Sequence, residues 1–201
     1  MKGIPVLMYH ALEDADHPAG AQDAGEQLYI LQTEQFRQQM DYLHSKGYQT
    51  YLLEELQAMD AWPEKAVVLT FDDGHESNFT LALPILQQYG FKAHFFITTG
   101  WTGTSHFLTA DQIKALHEAG MGIGSHGVTH RFLSDLDGSC IEQELCDSKR
   151  TLEKITGEEI QSFSAPGGRF CKRTEQSARQ IGYRYFVTSE VGLLSIDAFA
   201  T

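Results

Sequence analysis

Short apolar runs alternate with longer stretches of helical period along this chain, and the alternation predicts its elements one after another. Ile4–Tyr9 reads as a strand, followed by an irregular acidic, Gly/Ala-rich stretch from Glu13 to Gln27. Thr33–Lys46 reads as a helix, with Phe36, Met40 and Leu43 on one face and Gly47 placed to end it. A strand over Tyr48–Leu52 and a short helix over Glu54–Met59 follow. Ala66–Phe71 is an unbroken apolar strand, the kind covered on both faces. Ser77–Tyr89 is a helix closed by Gly90 and interrupted by Pro84, which kinks it or ends its first part. Lys92–Thr98 is a strand, and Thr109 opens a capping box with Gln112 for a helix that stops at Gly120. Met121–Ser125 is the next strand. Ser139-Cys140-Ile141-Glu142 reads as a second capping box, and Ile141, Leu145, Ser148, Leu152 and Ile155 trace one helix face before Gly157. Ile160–Ser164 is a strand, Lys172–Ile181 a helix stopped by Gly182, and Tyr183–Thr188 the last strand.

Strands alternating with helices predict an α/β fold, a mostly parallel sheet wrapped by helices. An open doubly wound sheet and a barrel share that signature. No phosphate-binding glycine loop follows the first strand, which removes the main support for a dinucleotide site. With 201 residues and no linker or repeat, residues 1–201 read as a single domain. No apolar run reaches the roughly 18 residues of a membrane span. The start, broken by Pro5, is a poor secretory leader, so the chain as given reads as cytoplasmic, or as secreted or periplasmic if a leader was removed. A formal net charge of −12 disfavours nucleic acid as a partner, because phosphate backbones are bound through Lys/Arg surplus. The three cysteines, Cys140, Cys146 and Cys171, form no C-x-x-C pair and read as reduced packing residues.

The candidate chemistry gathers where strands end, which is where parallel α/β folds build their sites. Ala66–Phe71 runs into Asp72-Asp73-Gly74-His75, and Met121–Ser125 runs into His126-Gly127-Val128-Thr129-His130. Ile160–Ser164 runs into Pro166-Gly167-Gly168-Arg169, and the first strand ends at Tyr9-His10. Two imidazoles separated by three residues plus one carboxylate make a zinc-type ligand set with positions left open. The second carboxylate of the Asp72/Asp73 pair is then free to act as a base beside the metal, where the pKa of bound water is lowered. An Asp-Asp-Gly turn or a histidine pair alone is ordinary; their conjunction on one rim is not. Trp101 and Phe107, after the strand Lys92–Thr98, are placed to stack on a sugar face, while His94, inside that strand, reads as a buried histidine.

Thr70-Phe71-Asp72-Asp73-Gly74 resembles the first motif of the polysaccharide deacetylases, a carbohydrate esterase family of metal-dependent N-deacetylases. His126–His130, preceded by Gly124-Ser125, resembles the second, and Phe163-Ser164-Ala165-Pro166-Gly167-Gly168 the third. Pro5-Val6-Leu7-Met8-Tyr9-His10 looks like the opening strand of the subgroup acting on exopolysaccharides. The resemblance implies a deformed, incompletely closed (β/α)7-type barrel with helices outside. It implies a divalent metal, above all zinc with cobalt or nickel as alternatives, held by Asp73, His126 and His130, and Asp72 as catalytic base. It implies an oxyanion contact from the Gly167 N–H beside Pro166, and a glycan substrate from which acetate is removed; His10, Arg169 and Trp101 are further substrate-contact candidates.

Three departures stand out. Gly127 occupies a position where the family usually has Ser or Thr, with Thr129 nearby as a substitute hydroxyl. Ser164 stands where many members have an Arg that orients the base, and Arg169 lies a few residues on. The late Leu-x-His segment that supplies the family's general acid is not found before Thr201, which leaves three readings: the natural protein continues and the C-terminal strand lies beyond residue 201, the subgroup manages otherwise with His10, His75 or Tyr9 as candidate replacements, or this copy is impaired. Two other readings compete: a deformylase or amidase on another substrate, and a catalytically weakened carbohydrate-binding protein on the same fold.

Overall fold

The computed structural model describes residues 3–20 and 24–195. Residues 21–23 of the acidic stretch, and both chain ends, lie outside them. Ten strands are recorded there: β1 (Ile4–Tyr9), β2 (Ala11–Glu13), β3 (Ile30–Gln32), β4 (Gln49–Thr50), β5 (Ala66–Phe71), β6 (His94–Ile97), β7 (Gly122–Ser125), β8 (Ser162–Ser164), β9 (Tyr185–Val187) and β10 (Leu193–Leu194). Seven α-helices accompany them: α1 (Ala24–Gln27), α2 (Thr33–Ser45), α3 (Leu53–Gln57), α4 (Leu83–Tyr89), α5 (Ala110–Glu118), α6 (Gly138–Thr156) and α7 (Lys172–Ile181).

The main sheet runs β10-β1-β5-β6-β7-β8-β9, with β4 also on β5, and curls into an open half-barrel. Its pairings are parallel except β1 with β10, where Ile4 faces Leu194 and Pro5 faces Leu193. Since β1, β5, β6, β7, β8 and β9 run the same way, their carboxyl ends share one rim. All six residues of β5 are buried, as its unbroken apolar run requires of a strand covered twice. Successive side chains take opposite faces. Val67, Leu69 and Phe71 join the large core with Phe36 and Met40 of α2, Leu86 of α4, Leu116 of α5 and Leu145 of α6. Ala66 and Val68 belong instead to an inner cluster with Ile4 and Tyr185, plugged by Leu53 and Leu56 of α3. That helix is the exception to the outer ring of helices: its two leucines close the inner face, which a half-barrel cannot fill by itself.

Local differences from the pattern have simple causes. The stretch expected to be irregular, Glu13–Gln27, holds the short helix α1 and is flanked by β2 and β3, which pair in parallel as a separate two-stranded sheet (Ala11 with Ile30, Glu13 with Gln32). Three-residue strands are too short to show a period. Pro84 does end the first part of its helix: Asn78–Ala82 is a π-helical turn, and α4 begins one residue before the proline, whose missing N–H costs nothing there. The second capping box is displaced. Asp137, not Ser139, caps α6, its carboxylate accepting from the Cys140 N–H at 2.9 Å while the Ser139 hydroxyl donates to it. A carboxylate at a helix N-terminus is favoured by the dipole as well as by the hydrogen bond. No helix among the described residues is long and apolar enough to cross a membrane.

Candidate metal centre

The β5 strand ends with the Asp72 N–H donating to the Tyr9 carbonyl of β1 at 2.9 Å, after which the chain turns sharply. Asp73 has φ 75° and Gly74 φ 84°, two left-handed residues in succession. A non-glycine residue holds such a backbone only where its surroundings insist on it. Here the Asp73 carbonyl accepts from the Thr98 N–H at 3.1 Å, and a Cβ at Gly74 would sit 3.2 Å from two atoms of Ile97. The turn drives the two carboxylates into different environments.

The Asp73 carboxylate meets both histidines of the β7 loop. His126 Nε2 lies 3.4 Å and His130 Nε2 3.1 Å from Asp73 Oδ1. One oxygen and two ring nitrogens from these residues lie within 4.8 Å of one another. His126 Nδ1 is 2.8 Å from the Ser164 carbonyl oxygen, which can only accept, so Nδ1 carries the ring proton and Nε2 presents a lone pair. That lone pair faces Asp73 Oδ1, which is buried and has no hydrogen-bond partner among the described residues. Acceptors converging without a proton between them repel, and a buried, unsatisfied carboxylate oxygen is costly. A divalent cation removes both penalties, so the donor set fits a metal. The electrostatics agree. Burial drives the His126 imidazole down to about 4, against the attraction of Asp73, which keeps it neutral as a ligand must be. Burial raises Asp73, but the contacts with His130 and His75 outweigh it and hold this carboxyl well below the usual range.

Asp72 stays off that set. It is buried, and its Oδ2 accepts from the Ser164 hydroxyl at 3.1 Å. Burial first, then the neighbouring Asp73 charge, raise its pKa to about 7, with Ser164 and His130 pulling the other way. Ser164 thus touches both halves of the site: its hydroxyl holds Asp72 and its carbonyl orients His126. Arg169 is engaged elsewhere, its guanidinium lying 4.5 Å from the centroid of the Phe132 ring.

Other residues singled out in the sequence fall into two groups. Trp101 packs at 5.1 Å on the His130 ring and at 4.8 Å on Phe107, which in turn stacks on His75 at 4.9 Å. His75 Nε2 is 3.6 Å from Asp73 Oδ2. His10 packs on Tyr29 at 4.6 Å, and burial lowers its pKa against the opposing attraction of the Asp73 charge. Pro166 and Gly167 form a tight turn after β8, where Gly167 has φ 61° and a Cβ would meet the Phe132 ring at 2.5 Å. Tyr9 belongs with the core instead, its hydroxyl donating to Gln39 and its ring packed on Phe36 and Phe71. His94 is buried in β6, with Nε2 accepting from the Leu53 N–H at 2.9 Å and Nδ1 without a hydrogen-bond partner among the described residues.

One residue the sequence reading passed over is Glu144. It is buried on α6 and accepts from the Val128 and Thr129 N–H groups of the histidine loop at 2.6 and 3.0 Å, and from the Thr129 hydroxyl. Its spacing from Ile141 and Ser148 places it on the buried face of that helix, a signal present in the periodicity.

The half-barrel thus carries a candidate Asp/His/His metal site at its carboxyl rim, with a second, buried carboxylate alongside. Comparison with known proteins narrows the class. Residues 60–186 match the polysaccharide deacetylase family model, and the chain belongs to that family. It is 34% identical over 198 residues to YxkH of Bacillus subtilis, covering 96% of this chain and 67% of that protein. It is 30% identical to the peptidoglycan-N-acetylglucosamine deacetylase of Bacillus cereus over 122 residues, 60% of this chain and 55% of the relative's length. The chain therefore spans about half to two thirds of these relatives. Among solved structures, the Streptococcus pyogenes deacetylase PplD in complex with acetate superposes with a TM-score of 0.84 at 30% identity, covering 96% of this chain and 86% of that one. IcaB from Ammonifex degensii superposes at 0.85 with 24% identity over 98% and 88% of the two chains, a likeness of fold.

Proposed function

We propose that the chain is a metal-dependent hydrolase that removes N-acetyl groups from glycans containing N-acetylhexosamine. The observation that carries this reading is the unpartnered Asp73 Oδ1 facing the His126 and His130 nitrogens, with buried Asp72 next to it and bonded to Ser164. Asp73, His126 and His130 hold the ion, and nitrogen plus oxygen donors suit zinc, with cobalt and nickel as alternatives. When bound, such a cation supplies Lewis acidity to a water molecule and to the amide carbonyl.

The chain's own residues do the rest. Asp72 takes the proton from the attacking water, and the Ser164 hydroxyl keeps its Oδ2 oriented while Oδ1 works. The Gly167 N–H, on the turn shaped by Pro166, donates to the carbonyl oxygen as negative charge develops on it. The proton held by Asp72 passes to the departing sugar nitrogen, so that acetate and a free amine leave; His10 is a second donor on the same rim. Trp101, flanked by Phe107 and His130, offers a ring face to the sugar, and Arg169 extends the polar rim on the Phe132 side.

The test is acetate release from a panel of N-acetylated glycans, with the chelator-stripped protein reloaded with zinc, cobalt or nickel. Release that depends on added metal is the expected result. Binding of N-acetylglucosamine oligomers with no acetate at any metal loading would replace the enzyme with a carbohydrate-binding protein.

A further inference from the structure

We propose that Glu144 is the positioning residue of the metal centre, the group that sets the geometry of the His126–His130 loop. The inference rests on the metal reading above and concerns residues outside the ligand set. The loop has to bring two imidazoles onto one carboxylate oxygen, yet it is neither helix nor strand. Its turn passes through left-handed backbone at Gly127 (φ 80°) and again at His130 (φ 59°), the second an unfavourable conformation for a residue with a side chain. Something outside the loop must stabilise that path.

The start of the loop is fixed by the Ser164 carbonyl on His126 and by the Gly127 N–H donating to the Ser125 hydroxyl at 3.1 Å, and two further restraints hold its middle. One comes from the turn after β6, where the Thr99 and Gly100 N–H groups donate to the Gly127 and Val128 carbonyls at 3.0 and 2.8 Å. It holds the loop by its acceptors. The other is Glu144, which holds it by its donors. Oε2 accepts from two successive backbone N–H groups, those of Val128 and Thr129, and Oε1 takes the Thr129 hydroxyl. Successive N–H groups converging on one oxygen form an anion-binding nest. Among the described residues no Lys, Arg or His makes an ion pair with Glu144, so the loop's donors are what compensate this buried carboxylate. α6 is well anchored below, with the Ser148 hydroxyl meeting the Ser125 hydroxyl of β7 at 2.7 Å. Glu144 therefore ties a ligand loop to a rigid helix.

The same geometry accounts for Gly127. A Cβ there would lie 3.0 Å from Glu144 Oε2, closer than nearly all ordinary contacts, on a backbone that already favours glycine. A side chain at 127 and the carboxylate of Glu144 compete for one space. In this chain the carboxylate occupies it, and Thr129 supplies the hydroxyl contact.

Glu144→Gln keeps the size of the side chain while replacing one acceptor oxygen with a donor. In the full chain it should weaken zinc and cobalt binding about 10–100-fold, the usual cost of losing a group that orients a ligand. It should also change the visible d–d spectrum of the cobalt-loaded protein, which reports ligand geometry and which a purely structural role would leave unaltered. Unchanged affinity and spectrum in the folded variant overturn the proposal. Should Glu144→Gln fail to fold, the pair Thr129→Val and Thr129→Ser decides it: the valine variant should lose affinity and the serine variant keep it, and equal affinities overturn the proposal. If the wild-type protein binds neither ion, the metal reading itself has failed, a result distinct from the others.

Discussion

Replacing Asp72 with asparagine removes the buried member of two adjacent carboxylates and leaves the shape of the site nearly unchanged, since the Ser164 hydroxyl can donate to an amide oxygen as it does to Oδ2. Two effects follow, and they have opposite signs. In the metal-free protein the variant should be more stable. The Asp72 carboxyl is raised from 3.8 to about 7, so the folded state holds a proton that the unfolded chain has already released. The stability associated with that proton is fully present below the unfolded value and is lost as pH rises through about 7. Across that interval the loss amounts to about 4 kcal/mol for a fully buried group. His126, lowered to about 4, works the other way over much of the same range, gaining stability as pH rises, but it is present in both proteins and cancels in their difference. The expected gap between Asp72→Asn and wild type is therefore near zero at pH 4 and about 2–4 kcal/mol at pH 8. That corresponds to roughly 4–16 °C in Tm for a chain of this size. Thermal melts of chelator-treated protein over that pH range give the value directly. The second effect is on activity: loss of a general base costs about 10²–10⁴ in acetate release, with metal still bound. A variant that releases acetate as fast as wild type ends the assignment of Asp72 as base. A stability difference that is flat in pH ends the argument about its buried charge.

Other consequences are as direct. His126→Ala combined with His130→Ala should abolish stoichiometric binding of a divalent ion, measured by metal analysis after dialysis; one ion per chain retained would refute the site. Saturating zinc at about 100 times its Kd should stabilise the wild-type protein by about 2.7 kcal/mol, and a melt unmoved by zinc would argue against a folded-state site. Gly74→Ala should destabilise the fold by about 1–2 kcal/mol in denaturant titrations, because the residue sits at φ 84° with Ile97 atoms 3.2 Å from a Cβ; a neutral change would show the turn to be adaptable. Trp101→Ala should raise KM for acetylated oligomers more than it lowers kcat, and the reverse outcome would place the ring in support of His130 instead.

Ser164 and Gly127 show how differently single residues can be read from sequence. Both were visible as departures from a familiar motif, yet nothing local told what they do. Ser164 contacts a carboxylate 92 positions away, and Gly127 makes room for a side chain from the following helix. Arg169 looked like a substitute for a missing arginine and lies instead on Phe132. The loop path, not the distance in sequence, decides such contacts.

What the amino-acid order determined by itself was the succession of elements and the location of the chemistry. Apolar runs at strand length, helical periods and glycine stops are short-range physics, and the parallel α/β pattern sends polar strand ends to one rim whatever the details of closure. Asp72, Asp73, His126 and His130 could be nominated on that basis alone. The motif resemblance names Asp73 as ligand and Asp72 as base, but only the tertiary structure supplies the physical cause of that split: two left-handed residues in one turn, and acceptors brought together from three strands. It also assigned the proton on His126 and brought Glu144 under the histidine loop. Those are properties of packed, desolvated groups, whose energies come from neighbours that are distant along the chain.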